Sequence, residues 1–265
     1  MKTPPCVLTI AGSDCGAGAG IQADARTIHA LGGYACTAIT AITAQNTRGV
    51  RAWRAEPPAM IAAQIEAVLA DFNVRAIKTG LLPGAGVVQV IARVLAARRE
   101  TPLVVDPVIG STSGTRFLDD AGLRALRKFL LPRATLVTPN WPEAETLAGR
   151  RVKTFADAEA AAKLLVAEFN CAVLLKGGHA PEKNLCRDVL VTRDGRVRWF
   201  ESSRVPTRNT HGTGCVLSAA IATGLAHGES IEAAVARARI FLHRALRAGR
   251  KTDWGGAGPA FAGGR

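Results

Sequence analysis

Apolar residues in this chain gather into short unbroken runs: CVLTIAG (6–12), ACTAITA (35–41), AIKTG (76–80), LVVDP (103–107), TLVTPN (135–140) and AVLLKGG (172–178). Runs that do not alternate are how parallel strands read when helices cover both faces of their sheet. The segments between them have helical spacing. In PPAMIAAQIEAVLADF, Ile61, Ile65, Val68, Leu69 and Phe72 share one face. In FADAEAAAKLLVAEFN, Phe155, Ala158, Ala162, Leu165 and Phe169 do the same. Strand–helix alternation from end to end predicts an α/β protein, a central, mostly parallel β-sheet layered between helices. One stretch departs from it. In NLCRDVLVTRDGRVRWFESSRV, two β-rich runs flank Arg193-Asp194-Gly195, a hairpin signal that predicts a short antiparallel edge. No linker, repeat or low-complexity tract interrupts the pattern, so one domain is expected over 1–265.

Length and composition agree with that reading. The 265 residues, 48% of them hydrophobic, suffice for a substantial core. No stretch approaches the roughly 18 uncharged apolar residues of a membrane span, so no membrane partner is expected. The opening MKTPPCVLTIAGSD reaches only the lower limit of a signal-peptide core and lacks a clean cleavage site, so it reads as a first strand. Cysteines 6, 15, 36, 171, 186 and 215 show neither CxxC nor zinc-ligand spacing, and a reducing, cytoplasmic setting is the natural expectation.

The net charge of +13 raises the question of nucleic acid. Part of it lies late in the chain, where Arg237, Arg239, Arg244, Arg247, Arg250 and Lys251 follow Glu232 with only Asp253 to oppose them. A single Tyr and scattered Trp residues supply no stacking motif, so a solvated basic helix is the simpler reading and no nucleic-acid partner is expected.

In open α/β sheets ligands sit beyond the carboxyl ends of the strands, so the polar residues closing each run are the candidates for chemistry. The heptapeptide NTHGTGC, Asn209 to Cys215, precedes the apolar run VLSAAIATGLA. Gly212 and Gly214 allow close backbone approach, and a helix starting near Thr213 would offer free N–H groups and its positive dipole end. That is an anion site suited to a phosphoryl group in transfer, where one aimed donor is worth roughly 10²–10³ in rate. A plain loop with Thr213 as helix cap would read the same way. Cys215 falls in the first turn, where the dipole is expected to lower its pKa. As proton acceptor or substrate contact it fits better than as covalent nucleophile, since His211 is the only nearby partner.

Four other clusters stand out. AGSDCGAGAGIQAD (11–24) is glycine-rich but lacks the Lys-Ser/Thr of a P-loop and the third glycine of a dinucleotide fingerprint. It reads instead as a turn closing over a small ligand, with Asp24 one helical turn past Gly20. Asp106 ends LVVD and Glu143 opens the helix after TPNWPE, a pair able to hold Mg²⁺ largely through waters. Lys176, in LLKGGH, can reach polyphosphate. Gln45 and Asn46 follow a strand, where an amide can read the donor and acceptor edge of a heterocycle.

Together these residues resemble the ribokinase superfamily, and within it the hydroxymethylpyrimidine/phosphomethylpyrimidine kinases of thiamine biosynthesis. AGSD with GAGIQAD, ITAQNTRGV, KTG, VVDPV, TPNxPEAE, LLKGGH and NTHGTGC occur in that family's order, from Leu8 to about Leu246. The resemblance implies a ribokinase-like fold, ATP and Mg²⁺ as cofactors, a homodimer, and two successive phosphoryl transfers. It implies that Cys215 stands where sugar kinases keep an aspartate base, with Gly212, Thr213 and Gly214 forming the anion hole. It places Gly12, Asp24, Gln45 and Val108 around the pyrimidine, Lys176 and Thr213 on ATP phosphates, and Asp106 and Glu143 in the magnesium region. KTGLL replaces the family's usual KxGML, so Leu81 stands at the pocket's methionine. Cys15 and Ala17 stand where Ser and Gly are common. A pyridoxal kinase-like enzyme is the nearest alternative, and a basic nucleic-acid-binding protein a remote one.

Overall fold

The computed structural model describes residues 3–110, 114, 116–182 and 184–260. The apolar runs form strands β1 (Cys6–Asp14), β2 (Tyr34–Asn46), β4 (Val74–Thr79), β5 (Leu103–Val105), β6 (Leu136–Val137) and β7 (Ala172–Leu175). Joined by β3 (Gly49–Ala55), β8 (Leu185–Val191) and β9 (Val197–Ser203), they make one sheet of order β3-β2-β1-β4-β5-β6-β7-β8-β9. Every pairing from β2 through β7 is parallel. The β8–β9 hairpin lies antiparallel at one edge, as the Arg-Asp-Gly signal implies, and Gly195 takes φ +80 in its turn.

The opposite edge corrects the expectation of a single antiparallel border. β3 pairs antiparallel with β2, so AQNTRG is the tip of a hairpin and Gln45 and Asn46 end its first strand. GVRAWRA carries no apolar face, and every residue from Arg51 to Ala55 is exposed. Hydrophobic patterning therefore had nothing to register there.

Helices α1 (Gly20–Ala30), α7 (Thr213–Ala226) and α8 (Ile231–Gly249) cover one face; α2 (Pro58–Asp71), α3 (Ala85–Val94), α4 (Asp120–Ala125), α5 (Trp141–Ala148) and α6 (Phe155–Phe169) belong to the other. Neighbouring strand residues go to opposite layers. Leu8, Ile10, Ile77, Leu103 and Val105 join the core beneath α2–α6, whereas Val7, Ala76 and Val104 join that beneath α1, α7 and α8. This is why the runs are unbroken. On the expected helix faces, Ile61 and Ile65 are buried, as are Ala158, Ala162, Leu165 and Phe169. Phe72 instead stacks on Tyr34 near the surface. From Val216 to Ala226, α7 is buried all round, its small residues letting α1 and α8 pack closely. Its start points to the strand ends. Among the described residues, no helix is long and apolar enough to cross a membrane.

The basic stretch on α8 is only partly free. Arg239 turns inward to Asp188 at 2.8 Å and Arg237 pairs with Glu229 at 3.1 Å.

Candidate active site

A cavity of about 390 Å³ opens beyond the carboxyl ends of the parallel strands. One wall is the N-terminus of α7. Gly212 adopts φ +75 as the residue before the helix, and a Cβ there would collide with the carbonyl oxygen of Gly18. Only glycine serves at such a position. Thr213 begins the helix, with no side-chain cap. A Cβ on Gly214 would stand 3.3 Å from both Asp106 Oδ2 and Lys176 Nζ. The Thr213 N–H donates to Thr210 O at 3.3 Å, so it is the open amides of Gly214 and Cys215 that are set against a charged cluster.

In that cluster, Lys176 at the end of β7 donates to Asp106 Oδ1 at 2.8 Å and lies 4.0 Å from Glu143 Oε2. Thr138 also donates to Asp106 Oδ1, at 3.1 Å. Burial alone would push the Asp106 carboxyl up, but the ammonium groups of Lys176 and Lys78 hold it below the usual carboxylate range. Glu143 completes a capping box with Asn140, accepting its N–H at 2.8 Å. Burial, aided by Asp106, pushes Glu143 up to about 7 against the pull of Lys176 and that N–H. Two carboxylates thus converge on one ammonium. Among the described residues no group of three or more metal-ligating side chains occurs. Such a donor set fits Mg²⁺ that keeps most of its ligands as water and phosphate oxygens.

The other wall would face an acceptor. Gly12 and Leu81 meet across it, a Cβ on Gly12 lying 3.4 Å from Leu81 Cδ2. Gln45 and Val108 line it as well. Asp24 does not. It lies fully buried a layer below, where its Oδ2 accepts from Lys78 Nζ at 2.7 Å and Thr9 Oγ1 at 2.6 Å, and its Oδ1 has no hydrogen-bond partner.

Cys215 lies on the cavity wall between these regions. Its sulfur accepts the Gly20 N–H, so the starts of α1 and α7 converge on it. The expected lowering of its pKa is not what results. Burial pushes the thiol up to about 11, with Lys78 opposing and Asp24 and Asp106 adding to the rise. Desolvation outweighs the pull of Lys78 and of the Gly20 N–H, so a neutral thiol faces the cavity at physiological pH. His211 offers it no partner, because its Nε2 lies 2.8 Å from Asp14 Oδ2. Cysteine–histidine covalent chemistry has no geometric basis here.

The motifs single out neither Asp14 nor Lys78 and offer His211 only as a partner for Cys215, yet all three line the cavity. A lone lysine inside the run AIKTG was the available signal for Lys78, since an unpaired ammonium cannot stay in a doubly covered strand. Asp14 is the last residue of β1, not part of the turn that follows it. Ala17 takes φ 57, a left-handed conformation that suits the glycine common at this point.

A parallel sheet with an anion-receiving helix start beside an acid–lysine cluster defines a phosphotransferase of the ribokinase-like class. More narrowly, residues 14–260 match the model of the phosphomethylpyrimidine kinase family, and the chain belongs to that family. It is 44% identical over 260 residues to the hydroxymethylpyrimidine/phosphomethylpyrimidine kinase of Streptomyces coelicolor, covering 97% of this chain and 94% of that one. The crystal structure of a phosphomethylpyrimidine kinase from Clostridium difficile superposes with TM-score 0.81 at 37% identity, over 92% of this chain and all of the other. Pyridoxal kinase from Staphylococcus aureus in complex with AMP-PCP superposes with TM-score 0.89 at 31% identity, over 98% and 94% of the two chains.

Proposed function

We propose that this protein is the ATP-dependent kinase of thiamine biosynthesis that phosphorylates 4-amino-5-hydroxymethyl-2-methylpyrimidine and then the resulting monophosphate. The observation that carries the mechanism is the place of Gly214, packed against the Lys176–Asp106 pair and adjacent in sequence to Cys215. Lys176 and Thr213 serve the nucleotide phosphates, and the open amides of Gly214 and Cys215 receive the moving group. The hydroxymethyl oxygen attacks the terminal phosphorus, the bond from that phosphorus to the bridging oxygen breaks, and ADP leaves. Catalysis rests on positioning and charge stabilisation, as phosphoryl transfer generally does. The neutral Cys215 thiol holds the attacking hydroxyl, whose proton passes to the transferred phosphoryl group. Asp106 and Glu143 would hold Mg²⁺, which supplies neutralising charge on the phosphates.

Gly12, Gln45, Leu81 and Val108 frame the pyrimidine. The amide of Gln45 favours an aminopyrimidine over pyridoxal, since it matches both a donor and an acceptor on the ring edge. Asp24 acts on this pocket from below, through Lys78. The same reading has a cytoplasmic homodimer with small-molecule partners only.

The test is ADP release with the aminopyrimidine alcohol, its monophosphate, pyridoxal and ribose. Turnover of the first two is expected, and turnover of pyridoxal alone would overturn the substrate assignment.

A further inference from the structure

Asp14 and His211 lie at the cavity but have no part in the chemistry above. Asp14, at the end of β1, is almost completely buried, and its carboxylate gathers the glycine-rich turn. Oδ1 accepts from Gly16 N–H at 2.8 Å, while Oδ2 accepts from Gly18 N–H at 3.0 Å and Ala19 N–H at 2.8 Å. His211 Nε2 reaches the same Oδ2 at 2.8 Å from 197 residues away. His211 is the residue before Gly212, so this contact joins the turn after β1 to the anion loop. Steric fit reinforces the junction. A Cβ on Gly18 would strike the His211 ring, and one on Gly212 would strike Gly18.

A third segment converges on the same residue. The His211 N–H donates to Gly258 O at 3.0 Å and its carbonyl accepts from Ala260 N–H at 3.1 Å. Asn209, two residues earlier, binds the same strap through its buried amide, donating to Gly249 O and Thr252 O and accepting from Gly258 N–H. His211 is thus fixed by its side chain on one side and its backbone on the other.

We infer that His211 is a positioning residue, which through Asp14 registers the Gly212–Gly214 amides against the Gly-rich turn and aims them at the moving phosphoryl group. This rests on the kinase reading above. An anion hole stabilises charge only if its donors are aimed before the charge develops, and a shift of about 1 Å can cost on the order of 100-fold. Histidine suits the task because its ring reaches across while leaving its backbone to the strap. Nothing in this arrangement requires His211 to touch the substrate.

The test compares His211→Ala, His211→Gln, Asp14→Asn and the Asp14→Asn/His211→Ala pair in the full-length protein. Gln keeps an N–H donor near the Nε2 position. For each variant, kcat and KM are measured on the aminopyrimidine alcohol, with affinities for Mg-ADP alone and for Mg-ADP with aluminium fluoride and the alcohol. His211→Ala is expected to lower kcat by about 30- to 100-fold with KM changed less than about threefold. Affinity for the fluoride complex should fall by a similar factor while that for ADP alone stays. Gln should restore most of both losses, and the double variant should be no worse than Asp14→Asn, since the two residues act as one unit. The inference is overturned if His211→Ala keeps kcat within about threefold, if ADP and fluoride affinities fall equally, if Gln restores nothing, or if the two losses multiply. Failure of the kinase reading would show separately, as no turnover of the alcohol by the unsubstituted protein.

Discussion

Two carboxylate–ammonium pairs lie at the strand ends, and they differ mainly in burial. Asp24–Lys78 is sealed, both side chains fully buried, with an N–O distance of 2.7 Å. Asp106–Lys176 has nearly the same distance, 2.8 Å, but Lys176 remains 14% exposed and opens on the cavity. Burial alone would lower the Lys78 pKa, yet the carboxylate of Asp24 more than offsets it and keeps the ammonium charged. Lys78 borders the cavity, but neither side chain of its pair is exposed, so this pair puts a fixed charge beside Cys215 rather than an open one. The open pair faces the cavity, where Lys176 can turn to a phosphate and Asp106 and Glu143 would be free to hold a metal ion. The same two functional groups are thus fixed in one place and open to the cavity in the other.

Several substitutions would sharpen or break that contrast. The largest expected effect is on activity: Lys176→Met should lower kcat/KM for ATP by about 10²- to 10³-fold. Its stability loss should be partly restored by added Mg²⁺, because the metal can take the ammonium's place between the acids. Thermal melts with and without EDTA check this. Lys78→Met acts on folding instead, with a comparable expected cost of about 3–5 kcal/mol in stability, the magnitude of an orphaned buried charge. Urea titration measures it, and Mg²⁺ should restore none of it. Equal rescue of both variants by Mg²⁺ would erase the distinction.

A smaller effect concerns pH. Glu143 titrates at about 7 in the folded protein, above its ordinary value of 4.5. The folded state therefore holds this proton more tightly than the unfolded chain. Its contribution is fully present below about pH 4.5 and is lost as pH rises through about 7. The span corresponds to on the order of 3 kcal/mol at most. In metal-free protein, stability should decline between pH 5 and 8, and Glu143→Gln should remove most of that slope. An unchanged slope would place the titration elsewhere.

The parts of the fold legible in sequence were those where burial dictates composition. Six parallel strands announced themselves as unbroken apolar runs because both of their faces are covered. The β8–β9 hairpin showed through its turn. β3 did not, since a strand exposed from Arg51 to Ala55 has no covered face to impose an apolar pattern. At the site, the glycines at the start of α7 and the strand-end acids were visible because close approach and charge demand those residue types. What stayed hidden depended on distance through space. The reach of His211 to Asp14 spans 197 residues, and no spacing rule encodes it. The Cys215 thiol was misjudged for a related reason: a helix start is visible in sequence, whereas the depth of burial that overrides it is not.

All of this depends on the phosphoryl group crossing at the start of α7, between the open pair and the Cys215 thiol. The most direct test is a crystal structure with a non-hydrolysable ATP analogue, Mg²⁺ and the aminopyrimidine alcohol. The account predicts the terminal phosphoryl oxygens within hydrogen-bond distance, about 3 Å, of the Gly214 and Cys215 amides, with the alcohol oxygen against the Cys215 sulfur. A terminal phosphate bound away from those amides, or an alcohol directed away from the thiol, would contradict it.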